Sequence, residues 1–106
     1  FKPEWFIIEV KDKKVGYMRT SDDTGSSICI GCDIHKENRR KGYAYTAYTN
    51  MIEKLYLNGY SVIWLKVFNK NIPAIKLYEK LGFIEIGSEI KRDLKYSTMV
   101  HVRLER

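Results

Sequence analysis

The chain has 106 residues, 44% of them hydrophobic and 13% aromatic, enough for one globular domain with a real core and too little for a second. Its formal net charge of +6 is spread along the chain apart from Lys36, Arg39, Arg40 and Lys41, a balance that permits nucleic-acid binding without arguing for it and fits a small anionic ligand at least as well. No apolar run approaches the ~20 residues a membrane helix requires, and charge within the first four residues, with no cleavage pattern behind it, leaves no leader to expect; Phe1 in place of an initiator methionine implies a trimmed, processed or partial chain.

Trp5 to Val10 is the first strand candidate. After the charged turn Lys11-Asp12-Lys13-Lys14, Val15 to Thr20 makes its hairpin partner. Polar Ser21 to Ser27 then connects to an alternating strand, Ile28 to Ile34. On that strand Ile28, Ile30, Cys32 and Ile34 face one way, and Cys29, Gly31, Asp33 and His35 the other. Cys29 and Cys32 spell C-I-G-C, which could suggest a redox or zinc pair. Residues three apart on a strand point to opposite faces, and the sequence has no second cysteine pair. Both are therefore expected to be reduced thiols of a cytoplasmic protein, with no metal.

Next comes a basic, glycine-bearing turn, Arg39-Arg40-Lys41-Gly42-Tyr43-Ala44, between this strand and a helix. Backbone amides at such a junction are unpaired, the helix dipole adds positive potential, and three cations add more. The turn suits a phosphate-bearing ligand. Ala44, Ala47, Tyr48, Met51, Ile52 and Leu55 recur at helical spacing and define one apolar face. Asn58-Gly59 ends that helix, Gly59 as a left-handed cap. Val62 to Phe68 is an apolar run broken only by Lys66, as in a strand buried on both faces.

Pro73 suits the first turn of a second helix, whose inward face is Ala74, Leu77, Tyr78 and Leu81 and which Gly82 stops. Phe83 to Ile90 and Thr98 to Leu104 are two final strands, joined by the polar stretch Lys91 to Ser97. The order is ββ, β, helix, β, helix, ββ, an α/β (α+β) arrangement of one sheet flanked by helices.

Two segments of this order resemble the GCN5-related N-acetyltransferase (GNAT) family. In the first, Arg or Gln is followed by x-x-Gly-x-Gly/Ala, here Arg39-Arg40-Lys41-Gly42-Tyr43-Ala44, preceded by Ile34-His35-Lys36-Glu37-Asn38. The second, more specific, is Asn71-x-x-Ala74-x-x-Leu77-Tyr78-x-Lys80-x-Gly82-Phe83. Their order and separation fit one helix and one strand between them, and the resemblance runs over nearly the whole chain.

The resemblance implies an acyl-CoA N-acyltransferase fold, a mixed and mostly antiparallel sheet, filling residues 1–106 as a single N-terminally short domain. It implies acetyl-CoA as cosubstrate and no metal. The pyrophosphate would lie on the amides and cations of Arg39, Arg40, Lys41, Gly42, Tyr43, Ala44 and Tyr45. The pantetheine arm would pair with backbone at Cys32, Asp33 and Ile34 like an added strand. Asn71 would orient that arm or a nearby water, and Tyr78 would protonate the departing thiolate. The acceptor would be a primary amine of a small molecule such as an amino sugar or polyamine, attacking directly in a ternary complex.

Taken singly, each residue has a plainer reading. Gly42 suits an ordinary tight turn, the basic triplet a solvated turn, Tyr78 a helix core position, and Asn71 a helix cap. Tyr43, Tyr45 and Tyr48 could stack on bases, although helical spacing favours packing. His35 is a surface residue or a base, and His101, Trp5 and Trp64 are structural. It is the joint pattern that favours the acetyltransferase.

Two departures stand out. The family's usual opening, a strand and two helices, is missing, so a second copy could cover the exposed surface as a homodimer. Nor is a general base evident. Relatives that acetylate ribosomal-protein N-termini carry a glutamate where this chain has Lys66, which cannot take an amine's proton at neutral pH unless strongly desolvated; Asp33, His35 and Glu37 remain candidate bases. A non-catalytic acyl-CoA-binding module, a peptide N-acetyltransferase and a nucleic-acid binder are the alternatives.

Overall fold

The computed structural model describes residues 3–102. Strands β1 (Pro3–Val10), β2 (Lys13–Asp22) and β3 (Ser27–Ile34) are followed by a short 3-10 turn, Lys36–Asn38, and helix α1 (Tyr43–Leu57). Strand β4 (Val62–Phe68), helix α2 (Ile72–Leu81), and strands β5 (Ile84–Lys91) and β6 (Leu94–Val102) complete the order. It is the expected order, and the six strands form one sheet, β1-β2-β3-β4-β6-β5, in which only the β3–β4 pair is parallel.

Both end hairpins close through two-residue turns with left-handed backbone, Lys11-Asp12 and Arg92-Asp93. That geometry matches the twist of the flanking strands, and Asp tolerates it better than most residues. The stretch Lys91 to Ser97, expected as a connecting loop, is mostly strand instead. The turn sets the register Lys91↔Leu94 and Ser88↔Ser97, so β6 starts at Leu94, inside the polar stretch, opposite a β5 whose alternating Ile84, Ile86 and Ile90 are all exposed. Leu104, placed in the last strand from sequence, lies outside the described residues.

Alternation sorts the sheet into two unlike faces. Met18, Ile28, Ile30, Ile63, Leu65, Val67 and Met99 are buried beneath Tyr48, Met51, Ile52 and Leu55 of α1. Ala74, Ile75, Leu77, Tyr78 and Leu81 of α2 pack on the same core. The opposite face carries Trp5, Tyr17, Arg19, Trp64, Lys66, Phe68 and Tyr96 and no described helix. Hence β4 is buried on one face only: Trp64 and Phe68 are half-buried and Lys66 is exposed.

Where the sheet is parallel it also opens. β3 and β4 pair over Ser27↔Val62, Ile28↔Ile63 and Cys29↔Trp64, and no further. Beyond that point Cys32, Asp33 and Ile34 stay paired to β2 on one side and have no strand on the other. The split therefore presents strand backbone at the end of the sheet where α1 and α2 begin. Gly16 fixes the edge of this opening. A Cβ there would lie 2.1 Å from the Asp33 carbonyl oxygen, so only glycine lets β2 approach β3 so closely.

Candidate functional site

A cavity of about 610 Å³ opens at the split, lined by the ends of β3, α1 and α2. Its walls include Cys32, Asp33, Ile34, Arg39, Arg40, Gly42, Tyr43, Ala44, Tyr45, Asn71 and Tyr78. These are the site residues expected from sequence except Lys41, which is exposed and outside the lining. Asn38, Tyr48, Pro73, Ala74 and Leu77 also line it and were not foreseen as site residues. Tyr48 lies on the helical core stripe, where periodicity alone gives no sign of a second role.

The basic turn is built for unpaired amides. Gly42 adopts φ 79° as the residue before α1 and supplies no side-chain cap. The helix's first internal bond runs from Thr46 N–H to the Gly42 carbonyl at 3.2 Å, so the amides of Tyr43, Ala44 and Tyr45 precede that ladder and point out of the helix end. Arg40 is left-handed too, at φ 64°, so the chain turns sharply just before α1. No atom lies within 4 Å of a Cβ placed on Gly42; in the free chain the glycine is required by its φ, not by crowding.

Arg39 is committed locally. Its Nε donates to the Ile34 carbonyl at 2.8 Å and its guanidinium sits 3.4 Å from Asp33, tying the turn to the end of β3. Asn38 is buried, and its Nδ2 has no hydrogen-bond partner. Asn71 caps α2, its Oδ1 accepting from the Ala74 N–H at 3.3 Å, which is the plainer reading of that residue; it lines the cavity as well.

At the cavity floor Tyr78 and Tyr48 share a hydrogen bond, Oη to Oη 3.3 Å, with rings edge-on at 83°. Burial pushes both phenols up, while the Tyr48 hydroxyl opposes that shift at Tyr78. Tyr78 thus stays protonated at neutral pH and has a donor beside it for the phenolate it would become. Burial also pushes the Cys32 thiol up to about 12, which disfavours its thiolate at neutral pH.

The candidate bases are spread out. Asp33 is half-exposed and paired with Arg39, and His35 and Glu37 are exposed and do not line the cavity. His101 lies between Tyr56 and Phe83, accepting or donating at Tyr56 Oη, with burial lowering its pKa. Among the described residues no group of His, Cys, Asp and Glu converges as a metal site, and no helix is long and apolar enough to cross a membrane.

The model of the acetyltransferase (GNAT) family matches residues 1–83. The chain belongs to the GNAT family. Among curated proteins, the [Ribosomal protein bS18]-alanine N-acetyltransferase of Haemophilus ducreyi is 41% identical over 46 residues, 43% of this GNAT chain and 32% of that protein. Solved structures share the fold. A mutant spermidine N-acetyltransferase from Vibrio cholerae superposes with a TM-score of 0.86 at 24% identity, over 94% of this chain and 65% of that one. A Salmonella typhimurium putative acetyltransferase, solved with acetyl-CoA, gives 0.83 at 19%, over 94% and 64%. A ribosomal-protein-alanine N-acetyltransferase from Brucella melitensis gives 0.82 at 20%, over 92% and 67%. The chain thus spans about two thirds of these solved relatives and one third of the curated one.

Proposed function

We propose that this GNAT domain, residues 1–106, transfers an acetyl group from acetyl-CoA to a primary amine of a small molecule. The observation that carries the reading is the convergence on one cavity of outward amides at the start of α1, unpaired strand backbone on β3, and the half-buried phenol of Tyr78. An anion fits the free amides of Tyr43, Ala44 and Tyr45, with Arg40 and Lys41 adding charge. An extended amide-bearing arm fits the open side of Cys32, Asp33 and Ile34. Asn71, its Oδ1 used in capping, has Nδ2 left to offer that arm.

Acetyl-CoA supplies an activated acyl group as a thioester. The acceptor nitrogen forms the C–N bond as the C–S bond breaks; the sulfur takes the electron pair and the Tyr78 proton, and the nitrogen's surplus proton leaves to solvent, from which Tyr78 is restored. β3 amides facing the cleft polarise the carbonyl. Tyr48 holds Tyr78 in place and donates to its phenolate. Acid catalysis of this kind contributes about 10²–10⁴-fold. The un-ionised Cys32 supports direct attack in a ternary complex over an acyl-cysteine intermediate.

Release of coenzyme A thiol from acetyl-CoA across a broad amine panel tests the proposal. Tyr78→Phe should cut turnover about 10- to 1,000-fold with coenzyme affinity nearly unchanged, and unchanged turnover would remove Tyr78 from the mechanism. Coenzyme binding without thiol release on any amine would favour a non-catalytic acyl-CoA-binding module.

A further inference from the structure

The helix-free face of the sheet holds a second cavity, of about 470 Å³, lined by Lys66, Glu89, Lys91, Arg92, Leu94 and Tyr96. It sits at the β5–β6 turn and against β4 beyond Trp64, the last β4 residue that β3 pairs with. Lys66 therefore borders the same split that Cys32, Asp33 and Ile34 border from β3, on the face away from Tyr78. Three cations meet one carboxylate there. Lys66 Nζ donates to Glu89 Oε1 at 2.6 Å, which holds that carboxyl below its usual range and uses up the one negative charge of the lining. Lys91 and Arg92 form no ion pair among the described residues, although the Lys91 charge also acts on the Glu89 carboxylate; Arg92 is presented by the left-handed turn, at φ 54°. The floor, Leu94 and half-buried Tyr96, is apolar with one hydroxyl.

Such a lining opposes a polycation, whose second ammonium would meet uncompensated like charge, and favours a molecule with an anion at that end. We propose that the acceptor is a primary amine bearing a carboxylate or phosphate, its anion held by Lys91, Arg92 and Lys66 while its nitrogen enters the split toward the acetyl group. This rests on the acetyltransferase reading and excludes polyamines from it. Leu94 and Tyr96 contact the carbons between amine and anion.

The test uses the full 106-residue chain, acetyl-CoA, and four acceptors of one length: cadaverine, the corresponding amino alcohol, the amino acid with its carboxylate at the far end, and that acid's phosphonate analogue. The two anionic arms separate carboxylate from phosphate recognition. At least one anionic acceptor should exceed cadaverine in kcat/KM by about tenfold or more. The double variant Lys91→Glu, Arg92→Glu should raise its KM and reverse the order, with coenzyme A affinity by calorimetry unchanged. Preference for cadaverine by the unaltered chain, or a double variant that moves neither KM nor order, overturns the proposal and leaves the acetyltransferase reading standing. Loss of coenzyme A binding in the unaltered chain would instead strike that reading. Should no acceptor turn over, side-chain NMR of the coenzyme A-loaded chain decides: shifts of Lys91 and Arg92 with either anionic probe and not with cadaverine support the proposal, and no such shifts overturn it.

Discussion

In the proposed mechanism the acid role of Tyr78 rests on two opposing influences, its burial and the Tyr48 hydroxyl. Burial raises its pKa and keeps the proton on, and the Tyr48 hydroxyl 3.3 Å away favours the phenolate once the proton has gone. Tyr48→Phe removes that donor while conserving the ring contact. It should therefore lower kcat by less than Tyr78→Phe, with KM for acetyl-CoA unmoved, and steady-state kinetics on the two variants and their double mutant measure the coupling. Gly16 makes a different contribution. Its substitution by alanine would drive a methyl group into the Asp33 carbonyl, and that strand end is a wall of the cavity. Gly16→Ala should cost about 1–3 kcal/mol in urea unfolding and weaken coenzyme binding in step, because one displacement causes both.

At the scale of elements, each wall of the cavity is a terminus. β3 ends at Ile34, α1 begins after Gly42 and α2 after Asn71, so the groups on offer are those that regular structure leaves unpaired. Asn71→Ala removes the cap on α2 and should cost about 1 kcal/mol. If Asn71 also holds the pantetheine arm, coenzyme affinity should fall by more than that stability loss explains, and thermal unfolding set beside calorimetric titration separates the two. This is also where sequence is most and least informative. The α1 and α2 stripes, the left-handed cap at Gly59, the helix stop at Gly82 and the alternation of β3 were readable because periodicity and special backbone angles leave marks in residue type. The β5–β6 hairpin was readable only in part: β5 alternates Ile84, Ile86 and Ile90 with polar residues, whereas the start of β6, Leu94 to Ser97, lies in a charged and polar stretch and joins the ladder through the tight turn Arg92-Asp93. Asn38 and Tyr48 were missed for a related reason. A buried amide and a core tyrosine acquire their place at the cavity from tertiary packing, which no local pattern encodes.

For the molecule as a whole, the two faces of the sheet divide the work. The helical face supplies the core and the donor cavity, and the other face carries Lys66, Lys91 and Arg92 at one end and exposed Trp5 and Ile7 at the other. A homodimer, if one forms, is expected to cover those two residues. Sedimentation at micromolar concentration checks it, and Trp5→Ser with Ile7→Ser should shift a dimer to monomer without altering coenzyme affinity. Alkaline stability reports on the helical side. Cys32, Tyr48 and Tyr78 all have folded-state pKa values above their ordinary ones, so above about pH 9 the unfolded chain loses protons that the folded chain keeps. Stability should be fully present below that pH and decline as the pH rises toward 12, following the raised Cys32 value. Urea midpoints taken between these limits measure the decline, and Cys32→Ala should flatten its first part.

Calorimetric titration of the chain with and without Gly42→Val tests whether the turn at Arg39–Ala44 and the split beside β3 grip acetyl-CoA. One site per chain with Kd of about 1 μM to 1 mM is expected, with at least a tenfold loss when Gly42→Val disrupts the left-handed start of α1. Absence of binding by the unaltered chain, or a Gly42→Val variant that remains folded and binds as tightly, would contradict it.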